Sequence, residues 1–132
     1  ELTFFNNKKI SFKLNSCSFE KILSESDFIT VHIPASNKYI LDTNEISKMK
    51  DGVGILNLSR GGIINEDELI KNIENGKISF AGIDTFENEP TPNIKVLMNS
   101  NISLTPHIGA ATNEAQDRIG VELADKINDI LG

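Results

Sequence analysis

Val53-Gly54-Ile55-Leu56-Asn57-Leu58, then Asn65-Glu66-Asp67-Glu68-Leu69-Ile70-Lys71-Asn72-Ile73-Glu74-Asn75-Gly76, then Ser79-Phe80-Ala81-Gly82-Ile83-Asp84: a strand, a helix and a second strand are written in this one stretch. The two outer runs are short, apolar and almost unbroken, as strands buried on both faces require. Between them the apolar residues Leu69, Ile70 and Ile73 fall at helical spacing. Asn65 is placed to cap that helix, with Glu68 at the capping-box position. Gly76 is the expected left-handed stop. Strand, helix and strand at this spacing predict a parallel pair joined by a right-handed crossover.

The same alternation continues on both sides. Upstream, Phe28 to Ile33 reads as another strand, and Thr43 is expected to cap a short helix from Glu45 to Lys50, closed by Asp51-Gly52. Ser18 caps a helix through Glu25, with Phe19, Ile22 and Leu23 on its inward face. Leu2 to Phe5 and Ile10 to Leu14 flank the polar residues Asn6-Asn7-Lys8-Lys9, which predicts a β-hairpin. Downstream, a loop carries Pro90 and Pro92, a helical turn spans Ile94 to Met98, and Ile102 to Thr105 is the last strand. From Thr112 a long helix runs to Leu131, with Ile119, Leu123, Ile127 and Ile130 as its apolar stripe. The fold class is therefore α/β, with a parallel sheet between flanking helices.

Composition narrows the partners. Across 132 residues, 39% are hydrophobic and 24% charged, the balance of a globular domain. A net charge of -6 and a pI near 4.9 leave no basic footprint, so nucleic acid is not an expected partner. No apolar run approaches the roughly 20 residues that span a bilayer, so no membrane partner is expected. The start, Glu1-Leu2-Thr3-Phe4, carries no basic and apolar leader pattern. A lone Cys17, read as a neutral residue before a helix, fits a reducing cytosol and a cytoplasmic location. No His or Cys cluster has zinc-ligand spacing, so no metal site is expected.

Chemistry gathers where the strands end. In an open parallel sheet, ligands bind in the crevice outside the carboxyl ends of the strands. Arg60 lies there in the turn Ser59-Arg60-Gly61-Gly62, where a guanidinium forks onto a carboxylate or, alternatively, stays solvated. Asp84 ends a buried strand, a costly place for a carboxylate without donors, and those of a bound cofactor are one source. A turn cap is the other. His107 follows Pro106, and its unperturbed pKa near 6.5 suits it to move a proton at neutral pH. Glu89, in the preceding loop, is its candidate partner, able to fix the tautomer and favour the imidazolium. His32, by contrast, is expected to sit in the core, and Asp27 in a turn.

Taken together, these segments resemble the cofactor-binding domain of the NAD-dependent D-2-hydroxyacid dehydrogenases. The matching stretches are Ser26 to Pro34, Met49 to Gly52, Asn57 to Gly62, Gly82 to Pro90 and Thr105 to Ala110. Asn113 to Glu122 looks most like the phosphoglycerate-oxidising members. The resemblance implies a Rossmann-type sheet, present only in part, and NAD as cofactor. It implies that Arg60 anchors the carboxylate of a small 2-hydroxy or 2-oxo acid, 3-phosphoglycerate first among them. It makes His107 the proton carrier and Glu89 its orienting partner, where the similar formate dehydrogenases carry Gln. Asp84 would hold the nicotinamide carboxamide, while Ile33, Leu58, Ser59, Arg60, His107, Gly109 and Ala110 would line the cofactor. Gly54 replaces a bulky aliphatic, which is expected to loosen its strand, and Asn65 replaces an Asp.

No Gly-x-Gly-x-x-Gly turn occurs in the sequence, nor does the family's substrate domain. Residues 1–132 thus look like the C-terminal part of the NAD-binding domain of a longer, homodimeric enzyme. Taken alone, they are expected to leave a strand edge and helix faces uncovered and to lack activity.

Overall fold

The computed structural model describes residues 2–3, 9–10, 13 and 15–132. Four parallel strands form the central sheet, β3 (Phe28–Val31), β4 (Val53–Asn57), β5 (Ile78–Ile83) and β6 (Ile102–Leu104), in that spatial order. Before them, β1 (Leu2–Thr3) pairs antiparallel with β2 (Lys9–Ile10), a departure from the parallel pattern. The expected hairpin turn and the outer parts of its strands lie outside the described residues. In register, Ile29 sits beside Ile55, and Ile55 beside Ala81, which in turn pairs with Ile102. These four side chains form one buried row across the sheet.

Among the described residues, five helices connect and flank the strands: α1 (Phe19–Glu25), α2 (Thr43–Lys48), α3 (Glu66–Glu74), α4 (Ile94–Leu97) and α5 (Asn113–Leu131). The core between sheet and helices holds Leu23, Ile46, Ile55, Leu69, Ile78 and Val96, each at 1% exposure or less. Burying a side chain of this kind contributes about 1.5–3 kcal/mol. The predicted inward face of α3, Leu69, Ile70 and Ile73, is buried. Its cap is Asn65, whose amide oxygen accepts from the Asp67 and Glu68 backbone N–H groups, each at 3.1 Å. Glu68 does not close a capping box, because its carboxylate is drawn to Lys71 instead. Gly76 takes the left-handed conformation that stops the helix, at φ +80°.

Several local expectations are corrected. The cap of α2 is Asp42, not Thr43: its carboxylate accepts from Thr43 N–H at 2.8 Å, and Glu45 returns a bond to Asp42 N–H at 3.2 Å. That reciprocal box starts the helix earlier, and extended backbone at Met49 ends it before Asp51-Gly52. His32 is no core residue. β3 stops at Val31, and the exposed imidazole bonds the Thr30 hydroxyl at 2.9 Å. Burial alternates along β3, an edge strand, leaving Phe28 68% exposed. Gly54 makes room for two rings, since a Cβ there would stand 2.7 Å from the Phe80 ring and 2.8 Å from the Phe28 ring, and the pairing of β4 with β5 shifts register between Val53 and Gly54. Those rings pair at 5.9 Å between centroids.

On α1 only Leu23 is buried, while Phe19 and Ile22 remain 40% and 36% exposed. α5 forms over the expected residues and is capped by Thr112, yet none of its residues is buried. The apolar stripe records a face without specifying what covers it. Among the described residues, no helix is long and apolar enough to cross a membrane.

Candidate active site

The turn after β4 is held by its own side chains. Asn57, 3% exposed, accepts from Ser59 N–H at 3.2 Å and from the Ser59 hydroxyl at 2.9 Å. Its amide nitrogen donates to the Arg60 carbonyl at 2.9 Å. Sequence reading passed over Asn57, although a buried amide at a strand end must find partners. Arg60 itself is exposed, and its Nη1 donates to the Ser59 carbonyl at 2.6 Å. Gly61 brings the turn against the next loop so closely that a Cβ would lie 1.8 Å from the Phe86 carbonyl oxygen. Glycine is required by that approach.

Asp84 follows β5 at 2% exposure. Its donors are the chain's own: the Thr105 hydroxyl at 2.6 Å and Ile108 N–H at 2.9 Å on one oxygen, Gly109 N–H at 2.9 Å on the other. Neither a cofactor nor a turn cap is needed to explain its burial, and bonds spanning more than twenty residues leave no local signal in the sequence. Burial pushes the Asp84 pKa up, but the Thr105 hydroxyl and the two backbone N–H groups outweigh it, so the carboxyl lies below the usual range. Replacing Asp84 by alanine strands those N–H donors and is expected to cost about 2–3 kcal/mol. The sign with pH follows from the depressed value. Asp84's contribution is fully present above the ordinary aspartate pKa of 3.8 and is lost as pH falls through the lower folded value. Urea denaturation at pH 7 and pH 3 should therefore show a steeper acid loss for the natural chain than for Asp84→Asn.

The two N–H groups that Asp84 holds come directly after His107, which adopts φ +54°. For a non-glycine residue this left-handed conformation costs about 1–2 kcal/mol, and it is seen more often for His, Asn and Asp than for other residues. It turns the imidazole back toward the loop after β5. There Nδ1 meets the Glu89 carboxylate at 2.9 and 3.1 Å. Glu89 also accepts from Phe86 N–H at 2.9 Å. The Phe86 N–H and then the His107 imidazole hold the Glu89 carboxyl below its ordinary pKa. Phe86, Pro90, Pro92 and Pro106 enclose an apolar hollow of about 270 Å³ beside this pair.

The remaining expected cofactor residues lie along the same carboxyl end of the sheet. Leu58 and Ile33 are 47% and 37% exposed just beyond β4 and β3, and Ser59 is buried. Gly109 and Ala110 are exposed between β6 and α5. Exposed aliphatic side chains above a sheet end suit the flat face of a nicotinamide or an adenine ring, so the residues present fit a dinucleotide. The structure brings together His107 with Glu89, and Asp84 with the backbone after His107. Arg60 makes its contact within its own turn.

One cluster escaped the sequence reading. Glu66, the first residue of α3, is 4% exposed. Its Oε1 accepts from Glu87 N–H at 2.8 Å, while Glu66 N–H donates to Glu87 Oε1 at 2.9 Å. The other oxygen, Oε2, is buried without a partner. Burial raises the Glu66 pKa above the carboxylate norm. Tyr39 donates its hydroxyl to Glu87 at 3.3 Å, and that carboxylate raises the phenol pKa. An acidic residue at the first turn of a helix reads as an ordinary dipole partner, which hid this one.

Comparison with known proteins gives the site its context. Residues 4–109 match the family model of the D-isomer specific 2-hydroxyacid dehydrogenase NAD binding domain. Over 118 residues the chain is 48% identical to a hydroxypyruvate reductase of Thermotoga maritima, covering 86% of this chain and 39% of that protein. Over 112 residues it is 42% identical to a D-3-phosphoglycerate dehydrogenase of Synechocystis sp., covering 83% and 20%. The crystal structure of a glyoxylate reductase from Paecilomyes thermophila matches with a TM-score of 0.74 at 36% identity, over 80% of this chain and 33% of that one. The chain spans two fifths or less of the length of these relatives. It belongs to the D-isomer specific 2-hydroxyacid dehydrogenases, whose NAD-binding domain it matches in sequence and in fold.

Proposed function

We propose that residues 1–132 supply the proton-transferring part of an enzyme that interconverts a D-2-hydroxy acid and its 2-oxo acid with NAD. D-3-phosphoglycerate is the first candidate substrate. The observation that carries this reading is the His107 Nδ1–Glu89 pair at 2.9 Å, at the same end of the sheet as Arg60. Because Nδ1 is taken by Glu89, Nε2 is the nitrogen left to exchange a proton with substrate. In oxidation, neutral His107 accepts the hydroxyl proton at Nε2 as the carbon–hydrogen bond gives up its electron pair as hydride. NAD, when bound, supplies the hydride acceptor. Glu89 stays ionised, holds the ring in the Nδ1–H tautomer and stabilises the imidazolium that forms. In reduction the imidazolium returns the proton. Arg60 anchors the substrate carboxylate and remains charged throughout.

Asp84 fixes the turn after His107. Its remaining acceptor capacity serves the nicotinamide carboxamide, with Ile33, Leu58, Ser59, Gly109 and Ala110 lining the cofactor. The glycine turn that cradles the pyrophosphate and the substrate domain belong, on this reading, to sequence outside residues 1–132. These residues alone are then expected to show no turnover.

A second substrate reading is hydroxypyruvate or glyoxylate. The 48% identity to a hydroxypyruvate reductase favours it. Steady-state assays of the whole protein with phosphoglycerate, glycerate, lactate and hydroxypyruvate decide between them. The highest kcat/KM is expected for phosphoglycerate, and a preference for glycerate and hydroxypyruvate would move the assignment to the second reading. Tight NADH binding with no turnover of any of the four would instead make the protein an NAD-responsive binding module.

A further inference from the structure

Glu66 and Glu87 serve none of the steps above, yet they join the parts that do. Their two bonds run in opposite directions, each carboxylate accepting from the other's backbone N–H, at 2.8 and 2.9 Å. One residue opens α3, which follows the Arg60 turn. The other lies two positions before Glu89. On the same loop, Phe86 gives its N–H to Glu89 and packs its carbonyl against Gly61. The loop bearing the histidine's partner is thus bonded at Glu87 to α3 and pressed at Phe86 to the Arg60 turn. A carboxyl oxygen buried without a partner, as Glu66 Oε2 is, costs stability and is not an ordinary helix-start feature.

We propose that Glu66, through its reciprocal bonds with Glu87, is a positioning residue that sets Glu89 against His107 at a fixed distance from Arg60. The proposal rests on the functional reading above and deepens it. Glu66 touches neither substrate nor cofactor, so its effect falls on the chemical step rather than on binding. The oxygen that accepts from Glu87 is what matters. Glutamine retains that oxygen and leucine lacks it.

The test compares Glu66→Gln with Glu66→Leu in the whole protein, reading kcat, KM and the NMR resonance of the His107 Nδ1 proton bonded to Glu89. Glu66→Gln should keep kcat within about threefold and keep the resonance. Glu66→Leu should lower kcat about 10- to 100-fold, as expected when catalytic groups are misplaced by about an ångström, with KM and NADH affinity little changed. Its Nδ1 proton signal should broaden away. Should the leucine variant not fold, Glu66→Met, which also lacks an accepting oxygen, should give the same loss of signal and of kcat. Normal kcat and an intact signal in the variants lacking the bonds would overturn the proposal, as would equal losses in Glu66→Gln and Glu66→Leu. The proton signal separates the two levels of inference. If the natural protein turns over no substrate but the signal still depends on Glu66, the functional reading fails and the positioning role stands.

Discussion

His107→Ala is expected to lower kcat in the whole enzyme by about 10²- to 10⁴-fold, the contribution of a positioned acid–base group. A change to Glu89→Gln is the informative companion. It retains an oxygen for Phe86 N–H and for the imidazole Nδ1–H, but removes the charge that stabilises the imidazolium. The expected loss is smaller than for His107→Ala. Stopped-flow measurement of hydride transfer in both variants separates the chemical step from product release. Near-normal transfer in His107→Ala would remove the histidine from the mechanism.

Gly61→Ala should damage both stability and activity. Its Cβ would stand 1.8 Å from the Phe86 carbonyl oxygen, 2.4 Å from the carbonyl carbon and 2.9 Å from Glu87 N, all backbone atoms that no side-chain rotation can move. The Arg60 turn and the Phe86–Glu89 loop must therefore separate. Overpacking of this kind costs about 1–3 kcal/mol, occasionally more. A displacement of about 1 Å between catalytic groups costs on the order of 10²-fold in rate. Gly62→Ala is the control. Gly62 itself adopts φ +73° with nothing within 4 Å of a Cβ, so only backbone strain of about 1–2 kcal/mol is expected and the loops stay in place. Urea midpoints and kcat for the two variants check this. Equal effects at positions 61 and 62 would mean that the contact with Phe86 does not hold the site together.

These two outcomes trace different layers of information. The placement of His107 and Glu89 was legible because strand ends are legible: the apolar runs at residues 53–58, 79–84 and 102–105 place whatever follows them on one side of a parallel sheet. The spacing of Leu69, Ile70 and Ile73, with Asn65 before and Gly76 after, was enough to set α3. Such signals are local, each arising within about one turn of helix or one strand. His32 shows where they stop. β3 ends two residues before the expected Ile33, and its alternation puts position 32 on the exposed face with Phe28 and Thr30, so the ring lies in solvent rather than the core. Asp42 displaced Thr43 as a cap for a similar reason, since two adjacent residues were both chemically able to cap and only the geometry chose between them.

By itself the sequence determined the α/β alternation, the parallel order of events along the chain and the set of polar residues delivered to the carboxyl end of the sheet. Periodicity and caps act over short distances, and burial of nearly continuous apolar strands leaves few alternatives. Tertiary structure alone decided how those residues are held. Asp84 takes its donors from residues 105, 108 and 109, Glu66 trades bonds with Glu87, and Gly61 meets Phe86, each across about twenty residues or more. A hydrogen-bonding group carries no label for its partner. Which donor reaches which acceptor is fixed only when packing brings distant loops together, and it was this packing that turned His107 to φ +54° and toward Glu89.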